Sequence, residues 1–202
     1  MRALSKILFT SLLLSNTNSY SIEITPLLGL RGGGEFIDAT NDKKHTLASS
    51  QVSGLLVSMP YQYGKTLELY YSHQSSNLKS INITVPANNI DIPLTLDYLH
   101  FGGTAPISEG NNFDTFVSGG LGFTYLSPDF SNARSDLRTS FSIGIGLKWP
   151  ITKRVALRLE TRGLATLFNN NSAIFCSGGC DIQVSGNFFF QGEVSAGLAF
   201  TF

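Results

Sequence analysis

The sequence has no excess of charge of either sign and little charge in total. It contains 14 lysines and arginines against 14 aspartates and glutamates, and these residues make up only 14% of the chain. A protein that binds nucleic acid needs a surplus of lysine and arginine to neutralise phosphates. The charge balance therefore gives no reason to expect a nucleic-acid partner.

Long hydrophobic runs are also missing. A transmembrane helix needs about twenty predominantly apolar residues, and the longest apolar run near the N-terminus, residues 7–14, is much shorter. That run follows Arg2 and Lys6 and precedes a small polar segment at 15–19, which is the order of a secretory signal peptide. We expect cleavage after Ser19 or Ser21. This assigns residues 1–21 to the signal peptide and residues 22–202 to one mature domain without a transmembrane helix.

Cysteine is scarce, since Cys176 and Cys180 are the only two in the chain. A metal site would need further ligands, and the pair lacks the two-residue spacing of a redox motif. An exported protein meets an oxidising compartment, in which disulfides form and persist. We therefore expect a disulfide between Cys176 and Cys180, and we expect no metal and no other cofactor.

What the chain has in quantity is alternation between apolar and polar residues. Residues 189–202 alternate up to the last residue, as side chains do when they point to opposite faces of a strand. One face carries Phe190, Val194, Ala196, Leu198, Phe200 and Phe202. The other face carries Gln191, Glu193, Ser195, Gly197 and Thr201. This pattern predicts a final strand with one apolar face.

This strand, which ends on an aromatic residue, resembles the closing strand of bacterial outer-membrane β-barrels. The resemblance implies that Phe200 and Phe202 belong to an assembly signal read by the barrel-assembly machinery, and that outer-membrane lipid surrounds the protein. The stretch from Ser172 to Cys180 and the strand pattern likewise resemble a group of uncharacterised bacterial outer-membrane barrel proteins. That resemblance implies a location in the bacterial outer membrane but no activity.

Seven further alternating segments precede the final strand, so the predicted strand count is eight. The connections near residues 60, 106 and 150 are short, whereas those at 34–47, 75–90, 127–136 and 169–187 are long. Short periplasmic turns that alternate with long extracellular loops are typical of outer-membrane barrels. The sequence therefore predicts an all-β fold, an eight-stranded antiparallel transmembrane up-and-down β-barrel. Pro26 cannot donate to a strand ladder, and we expect a bulge or an unpaired site there.

The predicted inner face carries five acidic and five basic residues. These are Glu23, Glu68, Asp97, Glu160 and Glu193, together with Arg31, Arg138, Lys148, Arg158 and Arg162. An eight-stranded barrel is only wide enough inside for its own side chains, and buried charges are costly unless they are matched. We therefore expect a lumen charge network that plugs the barrel, which argues against a wide pore.

A soluble barrel with its two faces exchanged is the alternative. Three observations argue against it. The sixth and eighth strands have no charge on their apolar faces, and a signal peptide precedes the domain. The strands, at about 10–14 residues, are also long enough for a tilted path across a membrane.

The segment His73-Gln-Ser-Ser-Asn77 is the one candidate for catalysis, with His73 and Ser75 on the predicted lipid face. It resembles the His-x-Ser-Asn arrangement of a lipid A deacylase barrel. An extra serine interrupts the match, and no glutamate follows at a comparable distance to orient the histidine. We therefore expect a polar cluster near the lipid headgroups and no enzyme. His45 and His100 are isolated and are assigned no role.

Three functions follow from these patterns, in order of preference. The first is a structural or surface-interaction barrel that resembles the OmpX and OmpA groups. The second is a narrow channel for small apolar solutes that resembles OmpW, and the third is a lipid A-modifying enzyme. The loops are rich in asparagine, serine and glycine, which suits a solvated surface but names no ligand.

Overall fold

The computed structural model describes residues 21–37, 44–80, 91–110, 112–129, 135–168, 173–174, 182–183 and 188–202. These residues form the strands β1 Glu23–Gly32, β2 Glu35–Ile37, β3 Lys44–Leu47, β4 Ser50–Pro60, β5 Thr66–Ser80, β6 Asp91–Glu109, β7 Asp114–Pro128, β8 Asp136–Pro150, β9 Val155–Leu167, β10 Ala173–Ile174, β11 Ile182–Gln183 and β12 Phe188–Thr201. Eight of them, β1, β4 to β9 and β12, are long. Within the described ranges, no helix has the length and apolar character needed to cross a membrane.

The eight long strands close into a barrel. Around the wall the order is β1, β4, β5, β6, β7, β8, β9 and β12, each pair of neighbours is antiparallel, and β12 pairs back to β1. Closure leaves both edges of the sheet paired, as a sheet in lipid requires. The predicted eight-stranded antiparallel up-and-down barrel is confirmed.

Some of the predicted loops contain strand. β2 pairs with β3, and β3 pairs with β5 through Leu47 and Leu78, so part of the predicted loop at 34–47 extends the sheet. β5 runs on to Ser80, well into the predicted loop at 75–90, because it has β3 on one side and β6 on the other. Backbone pairing on both sides overrides the weak strand preference of serine and asparagine there.

Pro26 interrupts the seam between the first and the last strand. The ladder of β1 with β12 passes from the pair Ile24 and Phe200 to the pair Leu27 and Gly197, and it omits positions 25 and 26. The ladder of β1 with β4 is continuous through Pro26. Because proline has no N–H to donate, the expected unpaired site lies at this position and is confirmed.

The outer wall of the barrel is apolar over most of its circumference. Leu28, Leu121, Ile143 and Val194 are each more than 60% exposed. Exposed aromatic residues stand near the short turns: Tyr61, Phe113, Trp149 and Phe202. Soluble monomers rarely expose apolar patches of this extent, and an apolar band edged by aromatic residues is typical of outer-membrane barrels. The outer wall is therefore the lipid face, and the alternative with exchanged faces is wrong.

The interior contains an apolar cluster beside its charges. Leu94, Leu96 and Tyr98 of β6 point inward and are at most 2% exposed, and they share this cluster with Phe168 and others. Asp97 alternates with them and lies on the outer face, so its predicted place in the interior is wrong. The prediction failed because the apolar side of β6 packs against other inner side chains, whereas the apolar sides of the other long strands mostly face lipid.

Candidate functional site

One group of buried polar side chains is centred on Arg31 of β1. The Nε of Arg31 donates to Oε2 of Glu193 at 2.9 Å, and its Nη2 donates to the Ser72 hydroxyl at 2.5 Å. The Tyr70 hydroxyl is 2.8 Å from each carboxylate oxygen of Glu193 and donates to that carboxylate. All four side chains are almost fully buried. The Arg31 cluster therefore joins β1 and β12 to β5.

A second group brings two arginines of β9 together with two glutamates. Arg158 donates to Oε1 of Glu68 at 2.7 Å and to Oε2 of Glu160 at 2.8 Å. Arg162 donates to Oε1 of Glu160 at 2.6 Å, and the Ser118 hydroxyl donates to the same oxygen at 2.5 Å. The four charged side chains are at most 4% exposed. Such charge-assisted bonds are the strong kind that buried ions need.

Tyr70 connects the two groups. The guanidinium of Arg162 lies 4.3 Å from the centre of the Tyr70 ring, at a distance that allows a cation–π interaction. The buried centre then holds three arginines, Arg31, Arg158 and Arg162, and three glutamates, Glu68, Glu160 and Glu193. The charges balance, so the attraction between opposite charges and the hydrogen bonds among them offset the desolvation cost of burying them.

The other predicted lumen charges lie elsewhere. Lys148 and Glu23 form an ion pair of 2.5 Å at the short-turn end of the barrel, where they are 33% and 12% exposed. Arg138 pairs with Asp136 at 2.5 Å at the loop end, where they are 20% and 25% exposed. Of the ten predicted charges, six are therefore central and three lie at the mouths, and Asp97 lies outside.

His100 is an inner residue that the sequence analysis missed. Its ring nitrogens contact the hydroxyls of Ser142 at 3.0 Å and Ser140 at 2.8 Å, and it is 1% exposed. The alternation of inward and outward side chains along β6 could have revealed this position. Because Tyr98 faces inward, His100, two positions later, must also face inward.

Gly144 leaves the space that Glu160 occupies. A Cβ at position 144 would lie 2.5 Å from the Ser118 hydroxyl and 3.0 Å from Oε1 of Glu160. We expect Gly144→Val to lower the free energy of unfolding by about 1–3 kcal/mol through overpacking, as measured by urea titration of the folded protein in detergent. Gly192→Val is the matched control, because it makes the same substitution at a glycine where an added Cβ would meet nothing within 4 Å. Equal stability of the two variants would contradict the assignment.

Four polar side chains form a connected group on the outer face, and we call it the outer-face cluster. Ser75 Oγ lies 3.4 Å from Nε2 of His73, and Nδ1 of His73 lies 2.8 Å from Oδ1 of Asp97. The Tyr71 hydroxyl donates to the same Asp97 oxygen at 2.9 Å. His73 and Asp97 are direct cross-strand partners on β5 and β6. The side chains are 43% and 25% exposed.

The outer-face cluster supplies the acid that the sequence analysis did not find. The expectation of no enzyme rested on two grounds, an extra serine in the motif and the lack of an acid that orients His73. Asp97 takes that place from the neighbouring strand, 24 residues away in sequence. The second ground for setting catalysis aside therefore does not hold, whereas the extra serine remains.

Some predictions lie outside the described residues. Cys176, Cys180 and residues 1–20 are not among the described residues. The disulfide and the signal peptide therefore stay predictions. Phe200 and Phe202 are described and lie on the wall next to the seam, 37% and 78% exposed, and the Phe202 N–H donates to the Ile22 carbonyl at 2.9 Å. Their role in assembly stays a prediction.

The fold has counterparts among solved structures, although no family model and no curated protein sequence matches the chain. Neisserial surface protein A is 12% identical, with 92% of this chain and 98% of that chain covered and a TM-score of 0.56. The outer membrane protein OprG from Pseudomonas aeruginosa is 14% identical, with coverages of 91% and 96% and a TM-score of 0.53. The outer membrane protein AlkL is 8% identical, with coverages of 91% and 90% and a TM-score of 0.50. The chain thus has the fold of eight-stranded barrels of the bacterial outer membrane, which is the location that its sequence predicts.

Proposed function

We propose that the chain is a non-conducting outer-membrane barrel with a structural or surface-interaction role, which acts through its surfaces and not by passing solutes through its lumen. The ion pair of Arg158 with Glu68 carries this proposal. In the closed order of eight long strands, β9 and β5 are four strands apart in both directions. The pair therefore joins opposite walls and crosses the diameter of the barrel.

The energetics of the buried charges support a closed lumen. A cavity of about 420 Å³ at the short-turn end is lined by both partners of the Glu23 and Lys148 pair and of the Glu68 and Arg158 pair. A solute that moved beyond it would have to separate buried ions, and breaking one buried pair costs about 3–5 kcal/mol. The same charges argue against a narrow channel for apolar solutes, because such a solute would pass along a lumen lined by ions.

In this proposal, outer-membrane lipid surrounds the apolar outer wall of the barrel. For insertion, the proposed partner is the barrel-assembly machinery, which would read the C-terminal strand. Two observations support this part of the proposal. Phe200 and Phe202 remain exposed on the outer face, and they stand next to the seam where the last strand meets the first.

Conductance in planar lipid bilayers tests the closed lumen. We expect the folded wild-type protein to give no stable current steps, because the Arg158 to Glu68 pair spans its lumen. The double variant Glu68→Ala, Arg158→Ala removes one negative and one positive charge together, and we expect small current steps from it. Lys148→Gln is the control, since it changes a charge at the mouth and leaves the central pair intact. Stable current steps from folded wild-type protein would refute the proposal.

A further inference from the structure

The outer-face cluster has the connectivity of a hydrolytic triad. The two ring nitrogens of His73 meet different partners, Nε2 a serine hydroxyl and Nδ1 a carboxylate. A nucleophilic serine needs a base within reach, and the base needs a third group that fixes its tautomer and orientation. The distance of 3.4 Å from Ser75 Oγ to Nε2 is long for a hydrogen bond, as it often is in sites without substrate.

We propose that Ser75, His73 and Asp97 form a catalytic site that hydrolyses the acyl ester of an outer-leaflet lipid. Ser75 is the nucleophile and His73 the general base. Asp97 is a positioning residue that holds the His73 ring, and Tyr71 in turn holds Asp97 through its hydroxyl. This inference goes beyond the proposed function and does not depend on whether the lumen is closed.

The height of the cluster on the wall selects the class of substrate. His73 stands seven residues beyond Thr66, where β5 begins at the short-turn end. At about 3.4 Å per residue and a strand tilt of about 40°, His73 lies about 18 Å above that end. The apolar band of such barrels is about 25 Å tall. The cluster therefore lies within the outer leaflet, about 7 Å below the upper edge of such a band, where a lipid of that leaflet and not a water-soluble ester would meet it.

A groove beside the cluster offers space for an acyl chain. It encloses about 610 Å³, which is within the range of small-molecule sites. His73 and Ser75 line one part of it, and Leu28 and Leu30 line another, with exposures of 72% and 64%. An ester carbonyl at Ser75 would thus have apolar side chains nearby for its chain. Gln51 and Ser53 also line the groove, and in this assignment their side chains supply the hydrogen bonds that a developing oxyanion needs.

The reaction needs water and no other co-reactant. The Ser75 oxygen bonds to the ester carbonyl carbon while its proton passes to Nε2 of His73. The carbon–oxygen bond of the ester then breaks, the lipid alcohol leaves with that proton, and the acyl group stays on Ser75. Water, deprotonated by His73, attacks the acyl-serine, which releases a fatty acid and restores the hydroxyl.

The test uses the full protein refolded into vesicles, with fatty-acid release measured by mass spectrometry. One set of vesicles contains phosphatidylethanolamine and phosphatidylglycerol, and a second set also contains lipopolysaccharide. Release from both sets, or from the second alone, identifies the source of the ester and supports the proposal. Heat-modifiable gel mobility shows that each sample is folded.

Four variants separate the roles. We expect Ser75→Ala and His73→Ala each to lower kcat/KM about 10³-fold or more. Asp97→Asn should lower kcat by about 10²-fold to 10⁴-fold and leave KM nearly unchanged, because the carboxylate acts on the ring and not on the lipid. Ser76→Ala is the matched control, since that adjacent hydroxyl points inward and donates to the Ala48 carbonyl, and it should keep wild-type activity.

Two results would overturn the assignment. One is that folded wild-type protein releases no fatty acid from either set of vesicles. The other is that Ser75→Ala releases it as fast as the wild type does. Asp97→Glu adds a further check, because it restores a carboxylate and should recover part of the kcat that Asp97→Asn loses.

Discussion

Glu160→Gln is expected to lower the free energy of unfolding by about 3–5 kcal/mol. Glu160 accepts hydrogen bonds from Arg158, Arg162 and Ser118, and its side chain is 2% exposed. Glutamine keeps the shape but removes the negative charge, so the two arginines would share the single carboxylate of Glu68. The low-dielectric interior cannot solvate the surplus positive charge. Denaturant unfolding in detergent, followed by the fluorescence of Trp149, the single tryptophan, measures the loss.

Glu23→Gln is the control for that prediction. Glu23 also pairs with a cation, but Lys148 is 33% exposed at the mouth of the barrel. Water can replace the lost partner there, and partly exposed ion pairs contribute only about 0–1 kcal/mol. Equal losses for the two variants would mean that the central charges are as well solvated as those at the mouth.

Leu198→Arg on the lipid face should destabilise the barrel by about 1–3 kcal/mol, because its position lies between the interface and the midplane of the apolar band. Leu198 is 43% exposed and faces outward beside Leu157 of β9. Lipid hydrocarbon cannot solvate a guanidinium, and a residue inside the apolar band has a long way to reach water. The measurement is the denaturant midpoint for folding into phospholipid vesicles, detected by heat-modifiable gel mobility.

Ile151→Arg is the corresponding control at the edge of the membrane. Ile151 is 59% exposed and lies in the short turn between β8 and β9. Near the interface the same substitution costs only about 0–1 kcal/mol. If Leu198→Arg proved as harmless as Ile151→Arg, the apolar outer wall would not be in contact with hydrocarbon.

The barrel itself could be predicted from local patterns. Lipid makes one face of a strand uniformly apolar, so period-two alternation alone indicates the direction of most side chains. The alternation on β8 from Leu137 to Trp149 is the clearest case. On β6 the same rule gave the wrong side for Asp97, because Leu94 and Leu96 are apolar for another reason, namely packing inside the barrel.

Local sequence patterns could not predict which side chains contact each other in the buried charge network and in the outer-face cluster. Arg31 and Glu193 are 162 residues apart in sequence, and both were expected inside, but which charges meet depends on the stagger of the whole wall. The same holds outside. His73 and Asp97 become neighbours only through the register of β5 against β6, which a sequence alone does not fix.

The polar outer-face cluster also makes the barrel uneven in height. Seven residues from the short-turn end, β5 presents His73, whereas β8 at the same distance from Pro150 presents Ile143, which is 68% exposed. The last apolar outer residue of β5 before His73 is Tyr71, two residues lower than Ile143. The hydrophobic height of the wall is therefore at least about 5 Å less at β5 than at β8. A bilayer adapts to such a mismatch by thinning or by tilting of the protein. We expect the outer leaflet to dip beside β5, which would lower lipid headgroups toward Ser75.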